Sequence, residues 1–273
     1  MIRTRRLGDE GQGGVPTLMV HGFTGSVEGW GEGILEGVAR LGPVIAVDLP
    51  GHGESELSRD PSRYAIERMV KDLLSVLDTH GIERANWVGY SMGGRIALAA
   101  AILHPGRVHR LVLESTSAGI EAQDARARRR RQDDLLAQRL ERRGIEDFVD
   151  FWMAQPLFAT QLRLPAVVLS DARRRRLRND PHALAAVLRG LGTGTQPSFW
   201  DRLSKVKAQT LLVTGLLDRK FTATAARMLD LVPSAEHKVI VDAGHTVHLE
   251  SPRRWLEAVT PFLEQGAPAH PPA

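Results

Sequence analysis

Six short apolar runs punctuate the sequence: Thr17–Val20, Val44–Val47, Asn86–Val88, Leu111–Leu113, Thr210–Val213 and Lys238–Val241. Continuous runs of this length suit strands of a parallel sheet, buried on both faces. Helical patterns such as Tyr64–Thr79 and Met92–Leu103 lie between them. Strand and helix in repetition leave one economical solution, an α/β fold with a mostly parallel central sheet covered by helices on both sides.

The alternation stops after Glu114 and resumes at Thr210. From about Ala118 to Leu203 the chain carries helix formers, arginines and proline breaks, and only Ala166–Leu169 reads as a strand. The expected organisation is a sheet core over residues 1–117 and 204–265, a helical cap inserted at 118–203, and a disordered tail at 266–273. Insertions of this size are uncommon as bare loops and usually functional.

Composition removes several chemistries. There is no cysteine, so disulfides, zinc–thiolate sites, iron–sulfur clusters and a cysteine nucleophile are excluded. The net charge of +4 is too small to imply nucleic acid by itself. The arginine runs 128–131 and 173–176 lack the aromatic interleaving of a nucleic-acid surface, and most of their charge is expected to face solvent. The basic N-terminus has no apolar stretch behind it, and no apolar run approaches the roughly 20 residues of a membrane span. A cytoplasmic protein with no membrane and no nucleic-acid partner is expected; monomer or weak dimer is left open.

Gly89-Tyr-Ser-Met-Gly93 matches G-x-S-x-G between a strand and a helix. The glycines suit a tight, strained turn that lifts a serine above the sheet edge. Ser91 is then the candidate catalytic serine, and the Met92 amide points to where negative charge would develop. His21-Gly-Phe23 ends the first clear strand and offers the Phe23 amide as a second oxyanion donor. Asp218 and His245 each follow a later strand, giving the chain order Ser, Asp, His. His245 can take the serine proton while Asp218 orients the imidazole. His21, His52 and His248 compete less well by position, Asp242 follows the wrong strand, and Asp48–Gly53 is assigned a structural part beside the site.

These features resemble the α/β-hydrolases along nearly the whole chain. A closer resemblance lies in Val20-His-Gly-Phe-Thr-Gly25 with Trp30, Val47-Asp-Leu-Pro-Gly-His-Gly53, Val88-Gly-Tyr-Ser-Met-Gly-Gly-Arg95 and Leu113-Glu-Ser115. Gln155-Pro-Leu-Phe-Ala159, Leu191-Gly-Thr-Gly194, Asp218-Arg-Lys-Phe221 and Ala243-Gly-His-Thr-Val-His-Leu-Glu250 extend it. Together they resemble the 2-succinyl-6-hydroxy-2,4-cyclohexadiene-1-carboxylate synthases of menaquinone biosynthesis. The resemblance implies a lyase that eliminates pyruvate from 2-succinyl-5-enolpyruvyl-6-hydroxy-3-cyclohexene-1-carboxylate, without metal or organic cofactor. It also implies substrate contacts from Tyr90, Arg95, Arg129, Trp152 and Arg176. Arginine suits a small tricarboxylate substrate, because its planar fork binds carboxylate bidentately and stays charged. Arg95 lies one helical turn beyond Ser91, on the same face. The rival is a serine esterase or thioesterase using the same triad through an acyl-enzyme. A catalytically dead binding protein is disfavoured by the complete triad, and a dehalogenase by a serine where a carboxylate nucleophile would stand.

Overall fold

The computed structural model describes residues 1–8 and 13–264. Its strands are β1 (Thr4–Leu7), β2 (Thr17–Val20), β3 (Val44–Val47), β4 (Ala85–Tyr90), β5 (Val108–Glu114), β6 (Gln209–Gly215) and β7 (Ala235–Ile240). They form one sheet in the order β1-β3-β2-β4-β5-β6-β7. The pairings from β3 through β7 are parallel, and β1 runs antiparallel along the edge of β3. β1 escapes the apolar-run criterion because Thr-Arg-Arg-Leu is an edge strand with a single apolar residue, Leu7, packed at the rim of the core.

Period-two alternation divides the core into two layers. Leu18, Val20, Ile45, Val47, Trp87 and Leu111 face α2 (Ile66–Thr79) and α3 (Met92–Leu103). Met19, Val44, Ala46, Val88, Val112 and Leu211 face the other way, toward α1 (Glu32–Ala39) and α9 (Pro252–Glu264). β2 and β3 are buried at every position, which is why their apolar runs are unbroken.

Between β5 and β6 the chain is helical: α4 (Gln123–Met153), α5 (Ala166–Arg176) and α6 (Pro181–Leu191). α4 breaks at Gly144, whose φ of 79° and ψ of −177° are not helical. The break lets Ala137, Leu140 and Phe148 converge on Leu184, Ala185 and Leu188 of α6 in a separate apolar cluster. Asp180 starts α6 by accepting from the Ala183 amide at 2.7 Å, with Pro181 at the first helical position.

Ala166–Leu169 is a correction to the sequence reading, because it forms the first turn of α5 and no strand. The amides of Val168 and Leu169 both donate to Pro165 O, and Val167 is two-thirds exposed, so no sheet is present to reward its β-branched residues. α7 (Arg219–Leu229) and α8 (Val247–Glu250) follow β6 and β7. The tail expected at 266–273 lies outside the described residues. Among those residues, no helix is long and apolar enough to cross a membrane.

Candidate active site

β4 runs straight into α3 through Ser91, whose φ of 51° and ψ of −107° put a non-glycine residue in a strained conformation. Such backbone typically costs about 1–3 kcal/mol and persists only where neighbours hold it. Here the Ser91 amide donates to Glu114 O at 2.8 Å, and Ser91 O accepts from the Arg95 amide at 3.1 Å and Thr116 Oγ1 at 2.7 Å. Gly93 must be glycine because a Cβ would stand 2.1 Å from Val20 O, where α3 presses on the end of β2.

Asp218 lies three residues beyond the end of β6 and caps α7 by accepting from the Phe221 amide at 3.2 Å. Its other oxygen lies 2.7 Å from His245 Nδ1, and His245 Nε2 lies 3.1 Å from Ser91 Oγ. An acceptor at Nδ1 selects the tautomer that leaves the Nε2 lone pair facing the serine hydroxyl. Both His245 and Asp218 are buried. The structure therefore brings Ser91, Asp218 and His245 into one hydrogen-bonded chain.

The competing groups are engaged elsewhere. His21 Nε2 accepts from the Leu49 amide at 3.0 Å, so its Nδ1–H donates to Gly22 O at 2.7 Å. His248 donates to buried Glu114, and Asp242 pairs with Arg254 at 2.7 Å. Asp48 accepts from the amides of Val27 and Glu54 and from Arg3, which fixes the Asp48–Gly53 loop. Phe23 and Met92 line the same cavity as Ser91, and among the described residues neither amide donates a hydrogen bond.

That cavity, of about 490 Å³, is walled by the core and by the helical segment, and Tyr90, Arg95, Arg129 and Trp152 all line it. Arg95 is only 9% exposed. It donates from Nη1 to Leu191 O at 2.8 Å and to Gln196 Oε1, and no carboxylate lies within ion-pair distance of it among the described residues. Burial, reinforced by the nearby Arg129 charge and opposed by Asp133, pushes it down to about 10, so it stays cationic at neutral pH. Arg129 donates to buried Asp133 at 2.7 Å, and Asp133 also holds the Gly194 amide at 3.2 Å. Trp152 stacks on Phe148 at 5.7 Å, and its indole N–H is buried without a partner. The Tyr90 hydroxyl lies 2.8 Å from Thr246 Oγ1, and burial holds the phenol well above its usual range.

Arg176 stands apart from this set. It lines a second cavity, of about 50 Å³, behind Tyr90 and Phe23. There Nη1 donates to Ala172 O at 2.9 Å and Nε is buried without a partner. Other members of the arginine runs make surface pairs, Arg128 with Asp124, Arg173 with Asp150 and Arg174 with Asp171. Among the described residues, no group of three or more His, Cys, Asp or Glu is placed to hold a metal.

Two further residues serve the site. Glu250 accepts from the Gly244 amide at 2.8 Å and the Thr246 amide at 3.1 Å, the two residues flanking His245. Lys220, on the first turn of α7, lines the large cavity. Each lies inside a sequence stretch already singled out, but only the fold shows what it faces.

The model of the α/β hydrolase fold family matches residues 16–252. A Bacillus subtilis (strain 168) protein provisionally named 2-succinyl-6-hydroxy-2,4-cyclohexadiene-1-carboxylate synthase is 38% identical over 93% of this chain and 93% of its own. The Salmonella paratyphi C (strain RKS4594) protein named as the same synthase is 32% identical over 93% of this chain and 96% of its own. The solved structure of MenH from S. aureus superposes with a TM-score of 0.91 at 35% identity, covering 96% of this chain and 99% of that one. The chain belongs to the α/β-hydrolase fold family and, within it, to the 2-succinyl-6-hydroxy-2,4-cyclohexadiene-1-carboxylate synthases.

Proposed function

We propose that this enzyme eliminates pyruvate from 2-succinyl-5-enolpyruvyl-6-hydroxy-3-cyclohexene-1-carboxylate with Ser91 as the base. Comparing substrate and product fixes the proton that is lost. The double bond moves from a 3-ene to a 2,4-diene while the oxygen on ring carbon 5 departs, so the proton leaves ring carbon 2, which bears the succinyl carbonyl. His245 takes the Ser91 proton, and the alkoxide, a far stronger base than imidazole, removes the proton from carbon 2. The carbonyl becomes an enolate, whose oxygen the amides of Phe23 and Met92 stabilise. The electron pair then returns through carbons 3 and 4 and expels the enolate of pyruvate, which is protonated at its methylene carbon. Ser91 forms no bond to carbon, and no step calls on a metal or organic cofactor.

The observation that carries the lyase over the esterase is the buried Arg95, facing the triad's cavity with no carboxylate partner of its own among the described residues. A neutral ester has no use for such a charge, whereas a tricarboxylate supplies its partner. Tyr90, Arg129 and Trp152 complete the binding wall, and Arg176 acts from behind Tyr90. In this reading residues 118–203 cap a core formed by 1–117 and 204–265, and the protein works in the cytoplasm. The test is pyruvate release from the enolpyruvyl substrate, run beside p-nitrophenyl acetate hydrolysis. Ser91→Ala and His245→Ala each lower pyruvate release by about 10³-fold or more, since the pair acts as a unit. Retention of a tenth of wild-type turnover by Ser91→Ala removes Ser91 from the mechanism, and ester hydrolysis without pyruvate release establishes the esterase.

A further inference from the structure

Four lysine and arginine side chains line the large cavity among the described residues, and two of them are neutralised in place. Arg129 is held by Asp133, and Arg227 reaches Glu121 at 3.0 Å with its guanidinium 4.1 Å from the centre of the Trp200 ring. Arg95 and Lys220 have no carboxylate within ion-pair distance among the described residues. These two uncompensated cations stand on different walls. Arg95 is buried in α3, whereas Lys220 is exposed on α7. Lys220, Thr224 and Arg227 are spaced by four and three residues, so they share the face of α7 that borders the cavity. The Lys220 ammonium lies 5.4 Å from the centre of the Phe221 ring, and that ring packs 4.6 Å from the His245 imidazole. The free ammonium therefore flanks the triad on the side of the cavity that meets solvent.

We propose that Lys220 binds the carboxylate of the enolpyruvyl arm, an inference that rests on the elimination proposed above. With ring carbon 2 against Ser91, carbon 5 lies across the ring, and its substituent is the part that must depart. A departing group belongs on the exposed wall, and the retained carboxylates on the buried Arg95 side. When the bond from carbon 5 to oxygen breaks, the electron pair stays on that oxygen, so the arm gains a second negative charge before its methylene carbon is protonated. A mobile ammonium is suited to follow it, since it offers three donors on a flexible stem and imposes no fixed fork. Lys220 thus holds the arm in the substrate and stabilises the leaving enolate.

The experiment compares the wild-type enzyme with Lys220→Gln, Lys220→Arg and Arg219→Gln in the pyruvate-release assay, with inhibition by added pyruvate and by the cyclohexadiene product measured separately. Arg219→Gln removes the same charge from an exposed neighbour that does not line the cavity. Lys220→Gln raises KM roughly tenfold, the loss expected of one charge-assisted hydrogen bond, weakens pyruvate inhibition by a similar factor, and lowers kcat because the leaving enolate loses its cation. Inhibition by the diene stays at the wild-type level, Lys220→Arg recovers most of the loss, and Arg219→Gln reproduces none of it. Unchanged KM and pyruvate inhibition in Lys220→Gln overturn the proposal. So does equal weakening of pyruvate and diene inhibition, which marks a diffuse field effect. Absence of pyruvate release by the wild-type enzyme overturns the elimination itself, and with it this assignment, before any variant is compared.

Discussion

His245 depends on an acid that never touches it. The two oxygens of Glu250 hold the amides of Gly244 and Thr246, so the backbone on both sides of the imidazole is fixed by one carboxylate. Thr246 is held further by the Tyr90 hydroxyl and by Gln161 Nε2 at 2.8 Å, and the ring then has only its hydrogen bonds to Asp218 and Ser91 to satisfy. Releasing the clamp lets His245 drift from the serine, and a misplacement of about 1 Å can cost roughly 100-fold in rate. Glu250→Ala is therefore expected to lower kcat by about 10- to 100-fold while KM changes little, because Arg95 and Lys220 are untouched. Steady-state pyruvate release checks this; a large KM effect at normal kcat removes Glu250 from the positioning of His245. The contrast with the triad explains what can be read from sequence. Ser91 is legible because its turn imposes glycines on its neighbours, and Asp218 and His245 because strand ends present side chains at one sheet edge. Glu250 grips backbone amides, which every residue has, so no residue type in the sequence marks its partners. The family resemblance implies a substrate contact for Arg176, and only the path of α5 puts it behind Tyr90.

The loops after β2 and β3 are joined by two buried imidazoles. His21 bridges the Gly22 carbonyl to the Leu49 amide, and the His52 ring meets it edge-on at 5.1 Å. Burial pushes both histidines below their ordinary value, although Asp48 pulls His21 partly back, and the charge His21 would carry pushes His52 down further. The unfolded chain takes up these protons as pH falls below about 6.5, while the folded form resists them, so the unfolded state binds more protons. The stability they contribute is complete above that pH and is lost progressively below it, at up to about 1.4 kcal/mol per pH unit for each histidine. Carboxylates such as Glu56, held at about 2 by Arg63 and the N-terminus, titrate below this window. The melting temperature is expected to fall between about pH 7.5 and about pH 5.5, and His52→Gln to flatten the fall. A wild-type profile already flat across that range contradicts the arrangement. These loops are legible as strand ends, but their cross-linking by neutral imidazoles is not. The same limit explains β1 and Ala166–Leu169: an edge strand carries no apolar run, and a Val-Val pair declares a strand only where a sheet receives it.

The charge of the whole chain is distributed so that little of it acts at a distance. Of the net +4, much of the arginine excess is met locally, as where Arg128, Arg173 and Arg174 face aspartates across exposed pairs. Such pairs contribute little field beyond their own contact. Arg95 and Lys220 differ in having no acid beside them among the described residues while facing a cavity with low-dielectric walls, which concentrates positive potential where a tricarboxylate would enter. The strand pattern put Ser91, Asp218 and His245 at one sheet edge, and the family resemblance implied an anionic substrate. Neither could say which cations are left unpaired, because that depends on the packing of α4, α6 and α7 around the cleft. Salt reads this arrangement directly. Screening shortens from about 10 Å at 0.1 M to about 3 Å at 1 M, so it weakens attraction at the exposed Lys220 much more than at the buried Arg95. Raising ionic strength from about 0.05 M to about 0.5 M should therefore raise KM for the tricarboxylate several-fold and lower kcat to a smaller extent, because the triad is shielded and only the Lys220 contact to the leaving enolate is screened. Lys220→Gln should lose most of that salt sensitivity, since the charge that salt screens is gone. Hydrolysis of a neutral ester should show no comparable rise. A KM for the tricarboxylate that ignores salt would mean that the exposed wall does not attract the substrate, and that binding rests on Arg95 and apolar contact alone.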